Sequence, residues 1–493
     1  MPAQNIIDAP RYLHFLEDIF MIEYKLFIDN EWRESQSGKT ISVEDPATRE
    51  DFASVQRGNE ADVAAAVAAA KEASEDWGAL SPRERAGYLR SLADVLEAHS
   101  DEMCGIITSE IGMPRAHVFD WHVAAAISGA RMYADIAEAY EYTAEQDNYM
   151  VIKEPFGVVA GITPWNYPLT QVTTKLFAAM AAGNTVVLKP SRQAPVSCLK
   201  LAECVLEAGF PKGVFNVVTG VGGEVGNALA AHPDVDALSF TGSTDAGIKV
   251  GQLALTTVKK ITLELGGKSP LILLPGGDAR AAVAAICSDV FMNTGQTCCS
   301  FTRFLVPRDR CGEVEALIKE EAANYITGDP GDEATVVGTL VSEAAYRKVK
   351  GYIEAGLSEG ARLVCGKVPE ELTDETQGYF VEPAVFMDVT NDMTIARDEI
   401  FGPVISVIAY DTVDEAVRIA NDTKYGLAGC VFGNDRTQAM DVLRRIKAGY
   451  LLLNGEIPDD SAPFGGYKMS GVGREGGVHG FEEFLQIKSI SLD

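Results

Sequence analysis

An α/β protein with a doubly wound parallel sheet followed by a second α/β domain is the fold class that this sequence predicts, and three observations predict it. Short apolar runs, GVVAGI (157–162), NTVVLK (184–189), VFNVV (214–218), ALSF (237–240) and ITLEL (261–265), alternate with helical segments. Runs apolar on both faces are strands covered by helices, and their alternation with helices makes parallel βαβ units. From about residue 265 the pattern begins again, with LILL (271–274), a helix, FTRFLVP (301–307) and a further α/β set to about 450. A chain of 493 residues is also long enough for about three units at ~150 residues each.

Along the chain, Leu13, Leu16, Ile19 and Phe20 fall at helical spacing, so residues 1–20 are expected to form an N-terminal extension with a short surface helix. Glu17 and Asp18 flank its apolar residues, which fits neither a signal peptide nor an Arg-rich transit peptide. KLFIDNEW (25–32) reads as a strand. Asn59 with Asp62 resembles a capping box before the Ala-rich run 61–74. Ser81-Pro82-Arg83-Glu84 is a stronger helix start, with Leu89, Leu92, Val95 and Leu96 as its buried face. The last run, LQIKSISL (485–492), alternates like an edge strand.

Composition excludes several classes. Lys and Arg number 42 against 71 Asp and Glu, a net charge of −29, which disfavours nucleic acid and anionic membrane partners. No apolar stretch reaches the ~18 uncharged residues of a membrane span. Nine cysteines, an odd number with no C-x-x-C pair, argue against a secreted disulfide framework and fit a reducing cytoplasm. The six histidines show no H-x-x-x-H or H-E-x-x-H spacing, so no metal site is expected.

Parallel sheets bind ligands beyond the carboxyl ends of their strands. GITPWNYP (161–168), KPSRQAP (189–195), TGVGGEVG (219–226) and TGSTDAG (241–247) occupy those turns. In the third, Gly220-x-Gly222 is followed by Val225 where the dinucleotide fingerprint needs Gly, so it reads equally as a tight turn. In the fourth, Gly242 and Gly247 flank a helix start whose free amides could hold a pyrophosphate. LELGGKSP (263–270) puts Glu264 at a strand end before paired glycines, and FMNTGQTCCS (291–300) puts Cys298 after a Gly-containing turn.

With TPWNYP, the Glu in LELGGKSP, the Cys in FMNTGQTC, EIFGPV (399–404) and PFGGYKMSG (463–471), the chain resembles the NAD(P)-dependent aldehyde dehydrogenase superfamily from about residue 25 to its end. The interval of 34 residues from Glu264 to Cys298 suits that family.

The resemblance implies oxidation of an aldehyde to the carboxylic acid. Cys298 would be the nucleophile, Asn166 with the Cys298 backbone amide the oxyanion hole, and Glu264 the general base that releases the acid. Lys175 and Glu475 would relay protons, and Cys299 would only pack. For the cofactor it implies Lys189 at the adenosine ribose, Ser243 with Gly222, Gly242 and Gly247 at the pyrophosphate, Glu399 at the nicotinamide ribose, and Phe401 and Trp165 beside the cleft. Many NAD-using relatives carry Glu three residues after that Lys. Arg192 stands there instead, which tilts the expected choice between NAD and NADP towards NADP. Tyr167, Gln171, Thr174, Met292, Thr297 and Phe464 would line the substrate channel, with Gln171 and Thr174 making it wide and polar. Glu456, Asp459 and Asp460 in GEIPDDSA (455–462) disfavour anionic aldehydes if they face that channel and have no such effect if they point outward.

The implied domains are a dinucleotide-binding domain (21–140 and 156–263), a catalytic domain (264–454) and a small β arm (141–155 and 480–493) that pairs subunits into a homodimer or homotetramer. Two alternatives remain in view. A coenzyme A-acylating relative would not need Glu264. A catalytically silent structural or binding protein would not need Cys298, Glu264 and Asn166 together.

Overall fold

The structure is a computed structural model that describes residues 21–372 and 377–492. The helix expected over Leu13 to Phe20 lies outside the described residues. The apolar runs are strands of two separate sheets. The first has eight strands, and five of them form its parallel centre in the spatial order Lys260–Glu264, Ala237–Thr241, Val158–Ile162, Thr185–Lys189, Phe215–Val217. The chain moves outward one way from Val158–Ile162 and then returns to build the other side. The two neighbours Val158–Ile162 and Ala237–Thr241 therefore flank a topological switch point, where loops diverge and leave a crevice. Every residue of the strands Val158–Ile162, Thr185–Lys189 and Ala237–Thr241 is buried, as double-faced apolar runs require.

Two features depart from the sequence expectation. KLFIDNEW is a hairpin, Leu26–Ile28 against Glu31–Arg33, at the sheet edge rather than one strand. Asp29 and Asn30 turn the chain with φ of 59° and 58°, the left-handed pair that a two-residue hairpin turn needs. A short strand from near the C-terminus, Gly471–Val472, closes the opposite edge beside Lys260–Glu264.

The second sheet has seven strands, with Pro270–Leu273, Arg303–Pro307, Ala384–Met387, Val404–Tyr410, Ala428–Phe432 and Tyr450–Leu453 parallel, and Arg362–Cys365 antiparallel at the edge. A third sheet joins Thr143–Glu145, Tyr149–Pro155 and Leu485–Ser491, all antiparallel. A fourth joins Ile22–Tyr24, Asp51–Gln56 and Thr40–Glu44.

Both expected helix starts are present. Asn59 and Asp62 cap Glu60–Ala79 reciprocally, and Ser81 and Glu84 do the same for Pro82–Ala98. Leu89, Leu92 and Leu96 are fully buried, while Val95 packs half-exposed at the rim of the stripe. No described helix is long and apolar enough to cross a membrane.

Candidate active site

The site is assembled where the first sheet's strand ends meet the loop that leads into Arg303–Pro307. Thr241 lies opposite Glu264 in the parallel register, and the Gly242 N–H donates to the Glu264 carbonyl at 3.1 Å, so the turn Gly242-Ser243 emerges beside the Glu264 backbone. The paired glycines then bring two segments into contact. A Cβ on Gly267 would stand 2.4 Å from the Cys298 carbonyl oxygen, and one on Gly266 would stand 2.3 Å from Glu399 Oε2. Only glycine allows both approaches.

The Cys298 loop itself carries strain. Asn293 and Thr294 have φ of 47° and 53°, a left-handed pair of non-glycine residues, and Gly295 follows at 71°. Such conformations cost of order 1–3 kcal/mol each and persist only where the surroundings enforce them. Here the surroundings do so. Asn293 Nδ2 donates to the Asn166 carbonyl at 2.8 Å, and Asn166 Nδ2 donates to the Gln296 carbonyl at 2.9 Å. Gln296 is itself pinned by Asn293, Thr339 and Val341. Asn166 and the Cys298 loop are thus one hydrogen-bonded unit, and one N–H of the Asn166 amide is not used in that lock. Cys298 is half-buried.

Glu264 is 4% exposed, and neither carboxylate oxygen has a hydrogen-bond partner. Burial, followed by the nearby Glu475 charge, holds this carboxyl well above the usual carboxylate range, with Cys298 close enough to contribute. A buried, unpaired carboxyl with raised proton affinity is poised to take a proton. A Cβ on Gly465 would lie 2.7 Å from Glu264 Oε1, so the backbone of PFGGYK walls this carboxylate directly. Glu475 forms a buried ion pair with Lys175, whose Nζ also reaches Gln171 Oε1 at 3.4 Å. Phe464 and Glu475 exchange both backbone hydrogen bonds, at 2.7 and 2.8 Å, and so this ion pair is tied to the segment carrying Phe464.

The residues expected to hold a cofactor lie in the turns that follow the first sheet's strands and in the segment after Thr394–Arg397. Lys189 is buried, donates to the Pro190 carbonyl at 2.6 Å, and burial draws its ammonium down to about 8. Arg192 is exposed and near enough to add to that lowering. Gly226 packs beside the Lys189 stem, while Gly222 is exposed at the start of one wide helical turn, Gly222–Gly226, rather than a standard fingerprint turn. Ser243 caps the helix Thr244–Ala254, accepting from the Ala246 N–H at 3.4 Å. Gly242 and Gly247 press on Phe240 and Leu265, so their role in the fold is close packing. Glu399 Oε1 accepts from the Gly267 N–H at 3.1 Å. Trp165 and Phe401 meet edge to face at 5.5 Å. Thr163 and Thr241, at the ends of the two switch-point strands, hold buried hydroxyls with no partner. Orphaned hydroxyls, a capped helix start and a buried carboxylate at a switch point fit an extended phosphate-and-ribose ligand.

The model of the aldehyde dehydrogenase family matches residues 32–490. The chain belongs to the aldehyde dehydrogenase family. A structure of a variant of aldehyde dehydrogenase C from Pseudomonas syringae, in complex with NAD+ and octanal, is 47% identical, with 95% of this chain and 96% of that one covered at a TM-score of 0.93. A Mycobacterium tuberculosis aldehyde dehydrogenase complexed with NAD+ is 40% identical over 96% of this chain and 99% of its own, with a TM-score of 0.93. An NAD-dependent aldehyde dehydrogenase from Sinorhizobium meliloti is 38% identical, covering 96% and 95%, at 0.92. The chain is accordingly an aldehyde-oxidising oxidoreductase.

In this family member the six residues expected to line the channel come from three segments, the helix Pro168–Ala181 with the residue before it, the Cys298 loop and the stretch carrying Phe464. Gln171 and Thr174 are half-exposed on the helix Pro168–Ala181, and Lys175, buried, lies one turn beyond Gln171 on the same face. Tyr167 donates to or accepts from Thr297 Oγ1 at 2.7 Å. Met292 is half-exposed at the end of the helix Ala279–Phe291, and Phe464 pairs with Tyr450 at 5.3 Å between ring centres. Glu456, Asp459 and Asp460 point outward, with Asp459 capping its own turn and Asp460 accepting from Ser128. Sequence reasoning missed His122, Tyr133 and Asp289. His122 stacks on Tyr167 at 5.4 Å and Tyr133 lies beside Glu475. Their only signal was a polar group on a helix, which reads as solvent-facing.

Proposed function

We propose that the chain oxidises an aldehyde through a covalent intermediate on Cys298, with NAD as the preferred cofactor. The juxtaposition that carries this reading is Glu264, buried with both oxygens unpaired, beside the half-buried Cys298. In this mechanism the Cys298 thiolate attacks the aldehyde carbon, and the resulting oxyanion sits between the free N–H of Asn166 and the Cys298 amide. A nicotinamide cofactor held by Glu399, Trp165 and Phe401 would supply the hydride acceptor. Glu264 then takes a proton from water as that water attacks the thioester, and the acid leaves with the thiol restored. The buried Lys175–Glu475 pair offers the route by which that proton leaves. Hydrolysis by a base at Glu264 distinguishes this reading from coenzyme A acylation, and the intact set of Cys298, Glu264 and Asn166 distinguishes it from a silent binding protein.

Lys189, Ser243 and Glu399 would hold the ribose and phosphate groups, Trp165 and Phe401 would flank the nicotinamide, and the first sheet would be the cofactor-binding unit. Solved relatives bind NAD+, which weighs against the lean to NADP drawn from Arg192. An exposed Arg192 is free to swing away from the ribose. The native enzyme should therefore reduce NAD with octanal, and Arg192→Glu should leave kcat/KM for NAD within about threefold. If Arg192 instead meets a 2′-phosphate, the native enzyme favours NADP and the variant loses about 10- to 150-fold with it. No aldehyde-dependent reduction of either cofactor would contradict the whole reading.

We also propose a homo-oligomer built through the third sheet. Its strand Leu485–Ser491 leaves an edge open and exposes Ile487 (71%) and Ile490 (42%). Such edges invite strand pairing. Light scattering at micromolar protein should give a dimer or tetramer, and a strict monomer would overturn the proposal.

A further inference from the structure

Asp289 is a titratable group that the mechanism does not use. It lies in the last turn of Ala279–Phe291, three residues before Met292, and it keeps part of its surface open. One oxygen accepts from the Phe301 N–H at 2.6 Å, just beyond the thiol loop. The carboxyl is also near enough to Tyr167, Cys299 and Tyr450 to raise the proton affinity of all three. Tyr167 touches Thr297, and Tyr450 packs on Phe464, so Asp289 stands among the groups that surround Cys298. Burial pushes its carboxyl up to about 7 against hydrogen bonds from the Phe301 N–H and the Ser300 hydroxyl, and no cation offsets that burial. Of the loop carboxylates, Asp460 also acts on Tyr450, while Glu456 and Asp459 are exposed.

A partly open carboxyl held only by its own loop, with no cation beside it, lacks a counter-charge. We infer that Asp289 is a specificity-determining residue that favours aldehydes bearing an ammonium or other hydrogen-bond donor and rejects those bearing a carboxylate. This rests on the reading of Cys298 as the nucleophile. The donor would meet the open Asp289 oxygen while the carbonyl lies at Cys298. A carboxylate in the same place would meet like charge in a site of low dielectric.

The test compares γ-aminobutyraldehyde, succinic semialdehyde and butyraldehyde, which share a chain length and differ in the terminal group. Native enzyme should prefer the amine over the acid by at least about tenfold in kcat/KM. Asp289→Asn, which keeps an acceptor for Phe301, should shrink that ratio about tenfold and change butyraldehyde by less than about threefold, while Asp289→Glu should retain the preference. Equal use of the amine and the acid by native enzyme overturns the inference, as does an unchanged ratio in Asp289→Asn. Failure of the nucleophile reading is separate, since it would appear as butyraldehyde turnover by Cys298→Ala.

Discussion

Cys298→Ala is expected to lower kcat for aldehyde oxidation by about ten-thousandfold or more, with no NADH formed in the first turnover. The covalent intermediate cannot form without the thiol, and the adjacent Cys299, whose thiol the Cys298 side chain and then burial hold well above the ordinary range, keeps the burial contribution in the variant. A thiol of raised proton affinity is a poor source of thiolate. The variant should fold normally, because Cys298 is half-buried and the loop is held by Asn166, Asn293 and Gln296 rather than by the sulfur. An unchanged melting temperature with lost turnover is the expected pair of results. Substantial residual turnover would move the nucleophile to another residue.

Glu264→Gln should separate the two halves of the reaction. Thioester formation needs no base at this position, so a burst of NADH close to one equivalent per site should precede steady turnover slowed about 10²- to 10⁴-fold. The pH dependence follows from the direction of the Glu264 shift. Its carboxyl is held above the usual range, so as pH falls the base becomes protonated earlier than an ordinary glutamate would, and hydrolysis slows. Steady turnover of native enzyme should therefore decline on the acid side, and that limb should vanish in Glu264→Gln. A normal rate in this variant would show that another group activates the water.

Much of this arrangement is legible in the sequence because backbone constraints leave strong marks. Strands apolar on both faces announce a parallel sheet, and the paired glycines of LELGGKSP stand where a Cβ would strike Cys298 and Glu399. What was not legible is set by long-range packing. The hairpin at Asp29-Asn30 depends on two left-handed residues inside an apolar run. The strand Gly471–Val472 is too short to show any period. His122 lies in a wide helical turn, Phe119–Ala124, with both ring nitrogens unpaired and burial drawing its pKa down to about 3. No sequence rule places such an imidazole against Tyr167. The preference between cofactors was unreadable for another reason: Arg192 is exposed, and its partner would be the ligand rather than the chain.

The central claim is that oxidation leaves the acyl group on Cys298 and that Glu264 removes it. Mass analysis of peptides from Glu264→Gln, quenched in acid after mixing with NAD and octanal, tests this most directly. The account predicts an octanoyl adduct on the peptide carrying Cys298 and Cys299, located by fragmentation on Cys298, dependent on NAD, and absent from the Cys298→Ala, Glu264→Gln double variant. No adduct, or an adduct on Cys299 that survives loss of Cys298, would contradict it.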